Sequence, residues 1–154
     1  MTDTADPSTQ WHLGIARACN NRAWELSVRT RTREEDREML DAAHTSAWHW
    51  AKVGTEQNRV RATMLLAEVH ALAGHGATAL ALAKEMHAYF TRRDDTPDWE
   101  LAFAHAILAH AAHAAGDAAL HRSAYRNATE AVARVTGDED RRIVLETFDH
   151  VARP

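Results

Sequence analysis

The chain has 154 residues, of which 45% are hydrophobic and 26% are charged, and its formal net charge is −4. These values are typical of one globular domain that is long enough to bury a core without disulfides or metals. Lysine and arginine are scattered along the chain, so we expect no nucleic-acid partner. No run approaches the roughly 18 apolar residues of a membrane span, so we expect no membrane partner either.

The first ten residues are polar and acidic, without the basic and apolar segments of a secretion signal. We predict a disordered tail over residues 1–10 and a single helical domain over residues 11–154. The one cysteine, Cys19, lies on an apolar stripe, which favours a packed thiol over a nucleophile. A lone cysteine also fits a reducing compartment, so the predicted location is cytoplasmic.

An all-α fold is predicted because glycine and proline are few, alanine is abundant, and apolar residues recur with the 3.6-residue helical period. Short breaks that contain Gly, Thr, Asp or Pro divide the chain into seven helical segments. These cover about residues 11–29, 34–53, 56–73, 77–93, 97–115, 117–135 and 138–152.

The first two segments are predicted to bury one apolar stripe each. In the first segment the stripe is Ile15, Cys19, Ala23 and Leu26. In the second segment it is Leu40, Ala43, Ala47 and Ala51. Thr32 and Glu35 have the spacing of a capping box, which predicts where the second helix begins.

Further helix boundaries follow from cap residues. Thr55 and Asp117 are predicted to cap the third and sixth helices. Thr96 is predicted as the cap of the fifth helix, with Pro97 at its first position. Short connections predict antiparallel hairpins over residues 11–53, 55–93 and 97–135, with a capping helix over residues 138–152.

Two of these hairpins carry a weak internal repeat. The matching positions are Thr63, Leu66, Ala67, His70, Ala79 and Ala83 in one, and His105, Leu108, Ala109, Ala112, His121 and Tyr125 in the other. Gly74 and Gly116 stand at the two turns. Residues 58–130 therefore resemble tetratricopeptide-type repeats.

This resemblance implies a short right-handed array of stacked helix hairpins. It also implies a concave surface, formed by the first helix of each pair, that binds a protein or peptide. An irregular helical bundle without a groove is the alternative architecture.

The first helices of the three hairpins present polar residues among apolar ones. Glu25, Glu68 and His110 are predicted at comparable heights, where they are candidates for an acid/base centre. The candidate ligands for a divalent transition metal are Glu68, His44, His110 and His113. The simpler interpretation is that Glu68 pairs with Arg61, and Glu25 with Arg22 or Arg29.

A second set of residues predicts a binding surface. Trp48 and Trp50 flank His49 and point about 200° apart on a helix, so both cannot enter one core. The candidate binding residues are Asn21, Trp24, Trp48, Arg61, Trp99 and Phe103.

Three functions remain open from the sequence. The first is a non-enzymatic interaction module that binds a protein, peptide or small ligand through the first-helix face. The second is a small metal-dependent or acid/base enzyme that uses Glu25, Glu68 and His110, with Arg61 holding an anionic substrate. The third is a homodimer that buries tryptophan and alanine faces between its subunits.

Overall fold

The structure is a computed structural model that describes residues 6–154. Within this range it contains seven helices and no strands, so the predicted all-α fold is confirmed. The helices are α1 (Pro7–Ser27), α2 (Arg33–Val53), α3 (Glu56–Leu72), α4 (Gly76–Thr91), α5 (Asp98–Ala114), α6 (Ala118–Arg134) and α7 (Asp138–Phe148). None of the helices in the described range has the length and hydrophobicity needed to span a bilayer.

Helix α1 begins earlier than the sequence predicted. Its first residue is Pro7, so residues 7–10 are helical and the predicted tail over residues 1–10 is wrong for that part. Proline is favoured at the first helical position because its missing N–H would lack an intrahelical partner there anyway. Residues 1–5 lie outside the described range.

Most of the predicted helix caps are confirmed. Thr32 and Glu35 form the capping box, with Glu35 N donating to Thr32 Oγ1 at 3.2 Å and Thr32 N donating to Glu35 Oε2 at 2.9 Å. Thr55 also accepts a bond from a backbone amide of its helix, at 3.2 Å. Asp117 accepts a bond from Leu120 N at 3.0 Å.

The predicted start of the fifth helix is wrong. Pro97 occupies the cap position and the helix begins at Asp98. The hydroxyl of Thr96 instead donates to the carbonyl oxygen of Phe90 at 2.8 Å. Thr96 therefore satisfies a carbonyl at the end of α4, where helical carbonyls lack an intrahelical donor.

Helix α5 is the centre of the fold. Helices pack as the pairs α1/α2, α3/α4 and α5/α6, and α5 also contacts α3, α4 and α7. Eleven of the 17 residues of α5 are buried, and most of them are alanines. Alanine faces let neighbouring helices approach α5 from several sides.

The buried face of α2 differs from the predicted stripe. It is formed by Met39, Ala43, Ser46 and His49, whereas Ala51 is exposed. The hydroxyl of Ser46 is buried because it donates to the carbonyl oxygen of Ala16 at 2.9 Å. The buried face of α2 therefore lies about one residue, or 100° around the helix axis, away from the predicted stripe, and it includes Ser46 because this side chain has a hydrogen-bond partner inside the protein.

Two glycines at turns and one at the start of α4 have different roles. Gly74 and Gly116 adopt φ values of 76° and 75°, a left-handed conformation that a side chain disfavours. At Gly76, a Cβ atom would lie 2.3 Å from the carbonyl oxygen of Ala114. The absence of a side chain therefore allows the start of α4 to approach the end of α5.

Replacing Gly76 with alanine is expected to lower the free energy of unfolding by about 2 kcal/mol or more, because the added methyl group overlaps a backbone atom that cannot rotate away. The matched control is Gly14→Ala, at an exposed position in α1 with no atom within 4 Å of the added Cβ. This control is expected to stabilise by up to about 1 kcal/mol through helix propensity. Urea unfolding of both variants measures the difference, and equal effects would contradict the close approach.

Candidate functional site

A cavity of about 460 Å³ lies between α1, α3, α5 and α7. Its lining residues come from four separate helices: Asn20, Trp24, Glu25, Val28, Arg61, Met64, Trp99, Glu100, Phe103, Ile143, Glu146 and Thr147. The first helix of each hairpin therefore contributes one wall, and α7 contributes the fourth. The sequence interpretation did not include the wall from α7, because it treated this helix as a cap.

Three aromatic rings form the apolar walls. The rings of Trp24 and Phe103 have centroids 5.7 Å apart and are inclined by 56°. The rings of Trp99 and Phe103 meet edge to face, with centroids 6.2 Å apart. Both geometries are ordinary aromatic packing contacts, so the three rings form one continuous apolar wall.

An ion pair between Arg61 and Glu100 borders the same space. Arg61 Nε lies 2.5 Å from Glu100 Oε1, and its Nη2 lies 3.1 Å from Oε2. The Glu100 side chain is only 1% exposed, whereas Arg61 is 40% exposed. Hydrogen bonding to Glu100, which outweighs burial, raises the pKa of Arg61 above its usual value. The suggested pairing of Arg61 with Glu68 is therefore wrong.

The carboxylates at the rim have partners outside the cavity. Glu25 accepts a hydrogen bond from Arg22 at 2.9 Å, as one of the sequence alternatives predicted. Glu146 pairs with Arg142 on the next turn of α7. Asp140 borders a smaller adjoining hollow that shares Trp99, Phe103 and Ile143 with the cavity. Carboxylates thus outnumber cationic side chains among the residues that line the cavity and the adjoining hollow.

Glu68 and His110 meet in the interior, but not at this cavity. His110 Nδ1 lies 3.0 Å and 3.1 Å from the two carboxylate oxygens of Glu68, and neither residue is a lining residue. Burial lowers the pKa of His110, but the charge of Glu68 and the hydrogen bond with it raise that pKa above its usual value. The proposed centre of Glu25, Glu68 and His110 is therefore not assembled.

The predicted metal ligands are also separated. His44 Nε2 lies 3.0 Å from His70 Nε2, and the exposed His113 ring packs against His121 with centroids 4.9 Å apart. Of the four predicted ligands, Glu68 and His110 contact each other, as described above. Among residues 6–154, no group of three or more His, Cys, Asp or Glu side chains is arranged to hold a metal ion.

Two predicted binding residues lie elsewhere. Trp48 is 54% exposed and packs against His12, His49 and Lys52. Asn21 is exposed, and its neighbour Asn20 lines the cavity in its place. The other predicted binding residues, which are Trp24, Arg61, Trp99 and Phe103, do line the cavity.

Most histidines form contacts between helices that the sequence did not reveal. The shortest approaches between imidazole nitrogens are 2.8 Å for His12–His49 and 3.0 Å for His44–His70, His70–His75 and His87–His105. Burial, with a further contribution from His105, lowers the pKa of His87 to about 4. Apart from His70 and His75, which are five residues apart, the partners are 18 to 37 residues apart in the chain, so no local spacing could have identified them.

Comparison with known proteins finds no matching family model, curated protein or solved structure.

Glu68→Gln is expected to reverse a pH dependence of stability that His110 confers, because without the Glu68 charge burial alone acts on the pKa of this imidazole, and burial lowers it. A histidine whose folded pKa is raised stabilises the fold below its unfolded pKa of about 6.5, and this stabilisation is lost as pH rises through the folded pKa. As pH falls from 8.5 to 6, the free energy of unfolding of the wild type should therefore rise by about 1 kcal/mol relative to that of Glu68→Gln. Urea unfolding at both pH values measures this gain, and parallel pH profiles would contradict it.

His87→Gln is expected to reduce destabilisation by acid. Because the folded pKa of His87 is lowered to about 4, only the unfolded chain protonates this residue readily as pH falls below about 6.5. The wild type should lose about 2 kcal/mol more than His87→Gln between pH 7.5 and pH 4.5. The control His150→Gln changes an exposed histidine and should lose as much stability as the wild type over this pH range. Urea unfolding at both pH values measures these losses. An equal loss in His87→Gln and in His150→Gln would refute the lowered pKa of His87.

Proposed function

We propose that this chain is a non-enzymatic helical binding protein that takes a ligand into the cavity between α1, α3, α5 and α7. The observation that carries the proposal is the convergence of Trp24, Trp99 and Phe103 with the Arg61–Glu100 pair around one open space. Residues from four helices meet there, although they are far apart in the chain.

The dimensions and chemistry of the cavity suit a small molecule. A volume of about 460 Å³ is within the usual range of ligand pockets. Aromatic walls supply apolar contact area, and a few charged groups supply orientation and specificity. This combination of apolar walls with a few charged groups is typical of binding sites for small ligands.

The arrangement also supports the resemblance to tetratricopeptide-type scaffolds, as a proposal. Three of the four walls come from α1, α3 and α5, which are the first helices of the hairpins. In that family this face is expected to bind the partner. We propose the same face as the binding surface here, in a protein of the cytoplasm.

No observation favours the enzyme alternative to the same degree. Glu68 and His110 are 1% and 7% exposed and do not line the cavity, so a substrate bound there would not contact them. The Glu25 side chain is 60% exposed and paired with Arg22 at the surface. These groups are therefore poorly placed to exchange protons with a common substrate.

The neutral fluorescent probe N-phenyl-1-naphthylamine is expected to bind the wild type saturably, with one site per chain. Trp99→Ala should weaken this binding about tenfold, because the ring supplies one wall and aromatic contacts contribute roughly 1 kcal/mol beyond their buried area. The matched control Trp48→Ala removes a tryptophan outside the cavity and should bind as the wild type does. Equal weakening by both substitutions, or unsaturable binding, would refute the proposal.

A further inference from the structure

We propose that the ligand of this cavity is a small free organic cation with an alkylammonium group. This inference rests on the proposed function, and it adds the chemical class of the ligand. It is drawn from the charges at the cavity and from the orientation of its aromatic rings.

The lining of the cavity contains more carboxylates than cationic side chains. Three carboxylates, of Glu25, Glu100 and Glu146, line the cavity together with one cationic side chain, that of Arg61. Asp140 adds a fourth carboxylate at the adjoining hollow. Arg22 and Arg142, the partners of Glu25 and Glu146, are each shared with a second carboxylate, of Glu38 and Glu139, so the charge around the cavity stays net negative. A cleft with an excess of one sign of charge concentrates ligands of the opposite sign. The lining therefore favours a cation and disfavours an anion.

Three aromatic rings, of Trp24, Trp99 and Phe103, line the cavity beside these charges. The negative faces of tryptophan and phenylalanine rings attract cations, and aromatic walls around an ammonium group are an established means of recognising it. The chain already provides one example, because the Arg61 guanidinium lies 5.9 Å from the centroid of the Trp99 ring. A ligand cation would contact the rings of Trp24 and Phe103 in the way that the Arg61 guanidinium contacts the ring of Trp99.

Arg61 does not make the cavity a site for anions. Two of its nitrogens are bonded to Glu100, whose carboxylate is almost fully buried and offsets the charge of the guanidinium. An anion that approached Arg61 would also be close to this carboxylate. Repulsion between like charges at short distance would cancel much of the attraction.

The chemistry of the walls also distinguishes organic from inorganic cations. Calcium and magnesium ions require six or more oxygen ligands, and among residues 6–154 no three His, Cys, Asp or Glu side chains are grouped so as to hold a metal ion. A quaternary alkylammonium group, such as the trimethylammonium head group of choline, has an apolar exterior and loses little hydration when aromatic carbons surround it. A cavity of about 460 Å³ accommodates such a head group with a short chain.

The test compares choline with 3,3-dimethylbutan-1-ol, which has the same shape but carries no charge. Isothermal titration calorimetry with the full chain is expected to show choline binding about tenfold more tightly than the alcohol, since cation–π attraction and nearby carboxylates act on the charged ligand alone. Trp24→Ala, which removes one of the two rings assigned to the ligand cation, should reduce the preference to about threefold, the part that the carboxylates supply. Circular dichroism at 222 nm will verify that this variant remains folded.

A variant that removes one negative charge measures how much the carboxylates contribute to choline binding. Glu146→Gln removes a lining carboxylate, while its partner Arg142 keeps a second partner in Glu139. Choline binding should weaken about threefold and binding of the alcohol should not change. The matched control Glu130→Gln changes an exposed carboxylate of α6 and should leave both affinities unchanged.

The outcomes separate this inference from the proposed function. If the alcohol binds as tightly as choline, or if only the neutral naphthylamine probe binds, the cation is excluded and the binding function stands. If no probe binds, both fail. A peptide that contains trimethyllysine provides the last comparison: tighter binding of this peptide than of choline by tenfold or more would overturn the assignment to a free small molecule.

Discussion

The burial of one carboxylate constrains the geometry of the whole site. Glu100 is near the start of α5 and only 1% exposed, so its charge requires a partner within hydrogen-bonding distance. Arg61 provides that partner from α3, and removing it would leave the Glu100 charge buried without a partner, which is destabilising. The pair therefore holds α3 against α5 and positions the guanidinium over Trp99, at the boundary of the cavity.

The side-chain sizes along α5 explain why a cavity forms at one end of this helix. Its middle and later turns bury many alanines, which let other helices pack closely around it. Its first turns instead carry Trp99 and Phe103, two large side chains that line the cavity together with residues of α1, α3 and α7. Helices cannot approach one another as closely beside these rings as they do along the alanines, and the cavity lies there.

The histidines contribute to the pH dependence of stability, separately from the cavity. Ten of the eleven contact another histidine or Glu68, and the partners lie on other helices or turns. Burial lowers the pKa of residues such as His87 and His49, whereas Glu68 raises that of His110. None of these imidazoles lines the cavity, so their titration acts on folding and not directly on the proposed binding site.

The sequence alone was sufficient for the features that depend on neighbouring residues. Helical periodicity predicted seven helices, and Thr32 with Glu35 correctly predicted a capping box, because both signals act within one or two turns. The long-range pairs were decided by tertiary structure alone: Arg61 bonds to Glu100 instead of Glu68, and Ser46 turns inward to meet Ala16. Several acceptors compete for each polar side chain, and only the packing of the helices determines which acceptor lies within 3 Å.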